Sequence, residues 1–336
     1  MSTSASVTPD RIMQFAWGYV PTFALEAAVR NRVFDVLDSG PRTLEETAEA
    51  TGASERGLRA VMNILVGLNF LAKSGDQYSL TIESETFLVS TKPSFQGGIL
   101  KHTSEQLIPN WLQINEIVRT GKPAVAGNQE GEGSDFFQKF VLDIFPLSYP
   151  SAQVLAKHLA HADAAAPVRV LDLAAGSGVW GIAQAQSTPT VTVTVVDWPD
   201  VLPVTRTTVA SFNLADRFTF TEGDLLTADF GTGHTLATLG HILHSEGEAR
   251  SKALLRKTFD ALAPGGIIAI AEFLVNADRT GPVPSLLFAA NMLVNTENGD
   301  TYSFEEISSW LTEAGFTNPR LLEAPGPSPL ILATKP

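Results

Sequence analysis

The residues able to do chemistry gather in the second half of this 336-residue chain. The run Leu171-Asp172-Leu173-Ala174-Ala175-Gly176-Ser177-Gly178-Val179-Trp180-Gly181 carries glycines that let a backbone turn tightly against a ligand. A helix opening at its end would aim N-terminal amides at that ligand. Two cofactor chemistries share the pattern, because Gly176, Gly178 and Gly181 also satisfy the dinucleotide fingerprint G-x-G-x-x-G. Asp197, roughly 20 residues on, suits ribose hydroxyls in either case. Asp172 separates the two, since a carboxylate ahead of the glycines repels a pyrophosphate and attracts the ammonium of an amino-acid tail. In Glu222-Gly223-Asp224-Leu225 a further carboxylate is placed to accept from the exocyclic amine of adenine. Two histidines, His241 and His244, lie in Leu239-Gly240-His241-Ile242-Leu243-His244-Ser245-Glu246, where a fourth strand ends.

The elements that must position these groups follow from periodicity. Strand-like runs at 168–174, 190–197, 218–222, 235–239, 266–273 and 330–334 alternate mostly with helical patterns, which predicts βαβ units and a largely parallel sheet covered on both faces. In such a sheet ligands bind beyond the carboxyl ends of the strands, and the glycine loop and both histidines fall there. On a regular strand the odd spacing of His241 and His244 sends them to opposite faces, so a shared metal site would need the turn to begin early. His241 is read as structural, and no metal is assigned.

The first half has another rhythm. Phe23, Leu25, Ala28, Val29, Val33 and Val36 recur at near-helical spacing and predict one helix over 21–37. Thr43 with Glu46 forms a capping-box start closed by Gly52, Ser54 caps a third helix to about Phe70, and 77–89 alternates like a strand pair. That order is a winged helix, whose other use is reading DNA. Residues 41–90 carry four basic and seven acidic side chains, a balance of −3, and the whole chain carries −13, so nucleic acid is excluded as a partner. Ile12, Phe15, Trp17, Tyr19, Val20 and Phe23 offer apolar surface that a homodimer would cover. A helical connector over 94–120, a Gly- and Glu-rich loop at 127–133 and a helix to about Ala162 join the halves. The absence of cysteine suits a reducing, cytoplasmic setting. Residues 285–294 are too short to span a membrane and read as a buried helix.

Taken together, Asp172 to Gly178, Asp197-Trp198-Pro199, Gly223-Asp224, His244 and the segment Phe304 to Phe316 resemble class I S-adenosylmethionine-dependent methyltransferases. The closer likeness is to small-molecule O-methyltransferases with an N-terminal winged-helix dimerisation domain, and it covers essentially the full chain. It implies an α/β fold, a Rossmann-like doubly wound seven-stranded sheet of order 3-2-1-4-5-7-6 with the seventh strand antiparallel. The implied organisation is a dimerisation domain over 1–105, a connector contributing to the acceptor pocket over 106–165 and a cofactor-binding catalytic domain over 166–336. The cofactor is then S-adenosylmethionine, with Gly176 and Gly178 at its methionine tail, Asp197 at the ribose, Trp198 beside the adenosine, and Asp224 with Leu225 at the adenine.

The resemblance also makes His244 the general base. A phenol titrates near about 10 and a histidine near about 6.5, so an imidazole in contact can take the proton as the oxygen turns nucleophilic. The family's turn reads roughly His-Asp-Trp, whereas Ser245 and Glu246 follow His244 here. Glu272 keeps one acidic position that orients the base; the second falls on Thr301, with Asp300 beside it. Acceptor-pocket candidates are Phe145, Tyr149, Phe288, Asn291, Met292 and Asn295, with Trp111 and His102 from the connector. An aromatic or polyketide-like hydroxyl is the preferred acceptor. A carbon or nitrogen acceptor would use nearly the same scaffold, and the dinucleotide pattern leaves a nicotinamide-dependent oxidoreductase as the rival.

Overall fold

A computed structural model describes residues 7–127, 129, 131, 137–138, 140–159, 167–326 and 328–336. Two compact units divide the chain, 1–108 and 109–336.

The first unit opens with α1 (Asp10–Ala16), which buries none of its residues. Helices α2 (Tyr19–Arg30) and α3 (Val33–Leu37) follow, so the expected single helix is broken; Arg32 adopts a left-handed φ of 57° between them. Helix α4 (Leu44–Thr51) starts in the predicted capping box of Thr43 and Glu46, and α5 (Glu55–Gly67) on Ser54. The strand pair lies earlier than its alternation suggested. Strands β2 (Leu71–Ser74) and β3 (Gln77–Leu80) pair, and β1 (Arg42–Thr43) joins β3 on its other edge. A second capping box, Thr81 with Ser84, instead turns 82–87 into helix α6 (Ile82–Phe87). Phe34, Met62, Leu65 and Tyr78 form this unit's core. Helix α7 (Gly98–His102) runs into a π-helical turn at Thr103–Leu107, and His102 bonds Gln106 inside it.

The second unit takes up the chain with α8 (Ile108–Trp111), α9 (Ile114–Thr120) and α10 (Phe145–Leu159), and most of the predicted loop at 127–133 lies outside the described residues. Its seven-stranded sheet runs β6-β5-β4-β7-β8-β10-β9 from β4 (Val168–Leu173), β5 (Val191–Asp197), β6 (Phe218–Glu222), β7 (His234–Gly240), β8 (Leu262–Ala271), β9 (Thr317–Leu322) and β10 (Leu330–Thr334). Counted within the sheet this is 3-2-1-4-5-7-6, as expected, with β10 antiparallel to β8 and β9. The strands from β6 to β8 are parallel, with one register shift in the β7–β8 pair between His234 and Leu236. Their apolar runs are buried on both faces, beneath α11 (Val179–Ser187) and α12 (Leu202–Ser211) and beneath α13 (Leu243–Ala261) and α15 (Phe304–Glu313). Helix α14 (Val283–Asn295) is less buried than its composition suggested: Met292 and Val294 face inward, while Val283 and Leu287 are each 64% exposed. Among the described residues, no helix is long and apolar enough to cross a membrane.

Candidate active site

Because β4, β5, β7 and β8 are parallel, their carboxyl ends share one edge, and the candidate residues come off those ends. After β4 the backbone turns through positive φ at Ala174 (50°), Gly176 (55°) and Gly178 (78°), which the two glycines adopt without strain. Gly178 then opens α11 without any side-chain cap. Apart from the Gly181 amide, taken by Asp172, the first-turn amides are therefore left without a side-chain cap, as an anionic or polar ligand requires.

The carboxylates beside this loop do different work from each other. Asp172 is fully buried, with Oδ1 accepting from Thr238 Oγ1 (2.7 Å) and Oδ2 from the Gly181 amide (2.9 Å). In the structure both of its oxygens are engaged from inside, one by an orphan amide of α11, in place of the ammonium expected there. Burial pushes this carboxyl up to about 7. Asp197 stands at the lip of the loop, accepting from the Gly176 amide at Oδ2 (2.8 Å) and from the Trp198 amide at Oδ1 (2.7 Å). Burial raises it to about 6, and those two amides work against the rise. Thr205 Oγ1 donates to the Gly176 carbonyl (2.6 Å), an anchor for the loop that nothing in the sequence announced.

After Asp197, the Trp198 ring lies 6.2 Å from that of Phe137. Asp224 accepts from the Leu226 amide at Oδ1 (2.9 Å) and pairs with Arg250 at Oδ2 (2.6 Å). Leu225 is buried in the core, so its side chain packs against the protein. The loop 172–181 contains no Lys or Arg to meet a pyrophosphate. Its glycine-lined backbone, uncapped amides and the Asp197 carboxylate fit a ribose diol and an amino-acid tail.

At the end of β7 the turn does begin early, with His241 at a left-handed φ of 62°. This brings both imidazoles to one side, their rings 6.5 Å apart. No group of three metal-ligating side chains occurs among the described residues. His244 is 8% exposed, with its Nδ1 2.8 Å from Glu272 Oε2 and its backbone amide donating to Glu272 Oε1 (3.2 Å). Burial alone would raise the Glu272 carboxyl, but the His244 and His241 rings and the hydrogen bonds from His244 hold it below its ordinary range. An ionised carboxylate only accepts, so Nδ1 carries a proton, and in the neutral imidazole Nε2 is then the acceptor.

Asp300 does not supply the second acid. Its backbone amide holds the His244 carbonyl (2.9 Å), while its carboxylate turns to Arg279 (3.2 Å). The neighbouring Thr301 hydroxyl donates to the Ser285 carbonyl (3.4 Å). Just past His244, Gly247 (φ 76°) breaks α13, and a Cβ there would lie 2.7 Å from the Asn298 carbonyl oxygen. The segment 298–300 thus clamps the turn that carries His244.

Phe288 meets the His244 ring edge-on at 4.8 Å and stacks on Phe273 at 3.9 Å, making an apolar wall beside Nε2. On the same helix Asn291 Oδ1 accepts from Trp111 Nε1 (3.0 Å) and from Asn295 Nδ2 (3.0 Å), and Asn295 Oδ1 from Asn110 (2.7 Å). Met292 is buried. Phe145 and Tyr149 are not brought to this wall. Phe145 stacks on Tyr149 (5.1 Å) and Phe212 (5.6 Å), and the Tyr149 hydroxyl donates to Gln186 (2.6 Å) near the far end of α11. His241, set aside on strand geometry, does join the site, held by Ser328 Oγ on Nε2 (2.9 Å) and packed against Phe273 (5.4 Å). Burial lowers it to about 4, so it is a neutral imidazole near pH 7. Its signal was the unusual backbone of the turn, which composition does not reveal.

Comparison with known proteins decides between the two cofactor readings. The model of the O-methyltransferase domain matches residues 147–317, and that of the O-methyltransferase dimerisation domain matches residues 13–90. The chain belongs to the O-methyltransferase family. This O-methyltransferase is 29% identical to 3-hydroxy-5-methyl-1-naphthoate 3-O-methyltransferase of Streptomyces sahachiroi, over 97% of this chain and 95% of that one. It is 28% identical to the tetracenomycin polyketide synthesis 8-O-methyl transferase TcmO of Streptomyces glaucescens, over 98% and 97%. Human N-acetylserotonin methyltransferase in complex with S-adenosylmethionine shares the fold, with a TM-score of 0.85 at 24% identity over 100% of this chain and 99% of that one. The O-methyltransferase uses S-adenosylmethionine, which sets aside the nicotinamide reading of Gly176, Gly178 and Gly181.

Proposed function

We propose that the O-methyltransferase methylates a hydroxyl on a small aromatic, naphthoate- or polyketide-like acceptor, with His244 as general base. The observation that carries this is the His244–Glu272 pair: Nδ1 is fixed on a buried carboxylate, and the ring packs against Phe273 and Phe288. The acceptor class draws support from the naphthoate and tetracenomycin enzymes among the relatives, and from the flat wall of these rings.

In this reading S-adenosylmethionine, when bound, supplies an electrophilic methyl group on a sulfonium sulfur. Asp197 holds the ribose, the backbone at Gly176 and Gly178 the methionine end, and Asp224 the adenine, with Trp198 beside it. Phe288 and Phe273 orient the acceptor ring and keep water from the reacting oxygen. Asn291 Nδ2, which has no partner among the described residues, meets a polar group of the acceptor, and so does Nδ1 of His241. The acceptor's proton passes to His244 Nε2 as its oxygen becomes nucleophilic, and Glu272 stabilises the imidazolium that forms.

The same proposal includes a homodimer formed through the N-terminal unit. Ile12, Phe15 and Trp17 are 72%, 72% and 61% exposed, more apolar surface than one short helix keeps in water. A cytoplasmic setting agrees with the cysteine-free sequence.

The test is product analysis after incubation with S-adenosylmethionine and either a hydroxynaphthoate panel or the matching naphthylamines. Methyl ethers from the hydroxyl series alone are expected. Methylation at nitrogen or carbon, or none of the hydroxyls, would refute the acceptor chemistry.

A further inference from the structure

The adenine corner and the turn bearing His244 are joined by a run of charges that the mechanism leaves unused. Arg250 Nε donates to Glu246 Oε2 at 2.6 Å, and its Nη2 donates to Asp224 Oδ2 at 2.6 Å. Glu246 lies two residues past His244, and its side chain is 4% exposed, against 36% for Arg250 and 32% for Asp224. A buried carboxylate on the base-bearing turn is thus tied through one guanidinium to a carboxylate at the end of β6.

We infer that Arg250 and Glu246 are positioning residues for the cofactor's adenine: Arg250 fixes the Asp224 carboxylate toward the exocyclic amine, and Glu246 anchors Arg250 to the His244 turn. Asp224 is gripped at both oxygens, by the Leu226 amide and by Arg250, so its orientation is set before a ligand arrives. Each oxygen keeps a second lone pair, which an amine N–H can use. The planar fork of arginine allows the geometry, because its separate nitrogens serve two carboxylates at once where a lysine is a single point charge. The inference rests on the S-adenosylmethionine site proposed above.

The test is calorimetric titration with S-adenosylhomocysteine and with S-inosylhomocysteine, in which a carbonyl replaces the amine and faces the carboxylate with an acceptor. The wild type is expected to favour S-adenosylhomocysteine by at least about tenfold, the worth of one charge-assisted hydrogen bond. Arg250→Met is expected to bring the ratio to within about threefold, and Arg250→Lys to restore part of it. Glu246→Gln keeps the Arg250–Asp224 pair and gives an intermediate ratio, which serves if Arg250→Met does not fold. An unchanged ratio in Arg250→Met or Glu246→Gln, with both ligands weakened equally, would reduce the bridge to a structural role and overturn the inference. A wild type that binds both ligands alike would overturn it through Asp224. A wild type that binds neither would instead sink the cofactor site itself.

Discussion

The two halves of the site are built on opposite principles. On the cofactor side the polar atoms are tied into backbone: Asp172 to Gly181, Asp197 to Gly176 and Trp198, Asp224 to Leu226. On the acceptor side two phenylalanine rings, Phe273 and Phe288, pack against His244, and the polar atoms at hand are spare nitrogens on His241, His244 and Asn291. A cofactor that never changes rewards a rigid, preorganised cradle. An acceptor that differs between relatives calls for a wall whose few free groups set the choice.

The sharpest break between the halves is expected at His244. His244→Ala should lower turnover on an accepted hydroxyl by about 10²–10⁴-fold, the usual worth of a general base, while S-adenosylhomocysteine affinity stays within a few fold. Glu272→Gln comes next, with a fall in kcat of about 10–10²-fold at little cost in KM, because the amide no longer stabilises the imidazolium. Steady-state kinetics and calorimetry on each variant separate the two sides.

On the cofactor side, Asp197→Ala should weaken S-adenosylhomocysteine by at least about tenfold. The same carboxylate predicts a pH dependence. Its folded value, about 6, lies above its unfolded one, so ionising it costs the unliganded protein stability as pH rises through that range. A ribose that needs the ionised form binds less tightly as pH falls below about 6, by roughly tenfold per unit, which titrations between pH 5 and 8 would show. Asn291→Ala should raise the acceptor KM about threefold and leave cofactor binding alone. The smallest kinetic effect is expected from Tyr149→Phe. Losing its bond to Gln186 should cost about 1 kcal/mol of stability in denaturant melts, with kcat and KM unchanged.

The contrast also explains what the sequence made legible. The parallel strands and the glycine loop could be read because tight turns and buried parallel strands demand particular residues at short spacing, whereas the strand order came only with the family resemblance. Asp172 was noticed for its charge, yet it is fully buried and one of its partners, Thr238, lies far along the chain. Phe145 and Tyr149 carried the right chemistry for a pocket, but their partner Phe212 lies more than sixty residues away and draws them outward. Asp300 failed for a similar reason: Arg279 claims its carboxylate. His241 was misplaced by assuming a regular strand through a residue that leaves it at φ 62°. Arg250 carried one usable signal, its i,i+4 spacing from Glu246.

The central claim is that one acceptor oxygen sits between His244 and the cofactor's methyl position. A crystal structure of the enzyme with S-adenosylhomocysteine and a hydroxynaphthoate that it methylates tests this most directly. The account predicts the reactive hydroxyl within about 2.6–3.2 Å of His244 Nε2, its ring against Phe288. A hydroxyl bound near the sulfur but held by other groups, with His244 Nε2 facing solvent, would contradict it.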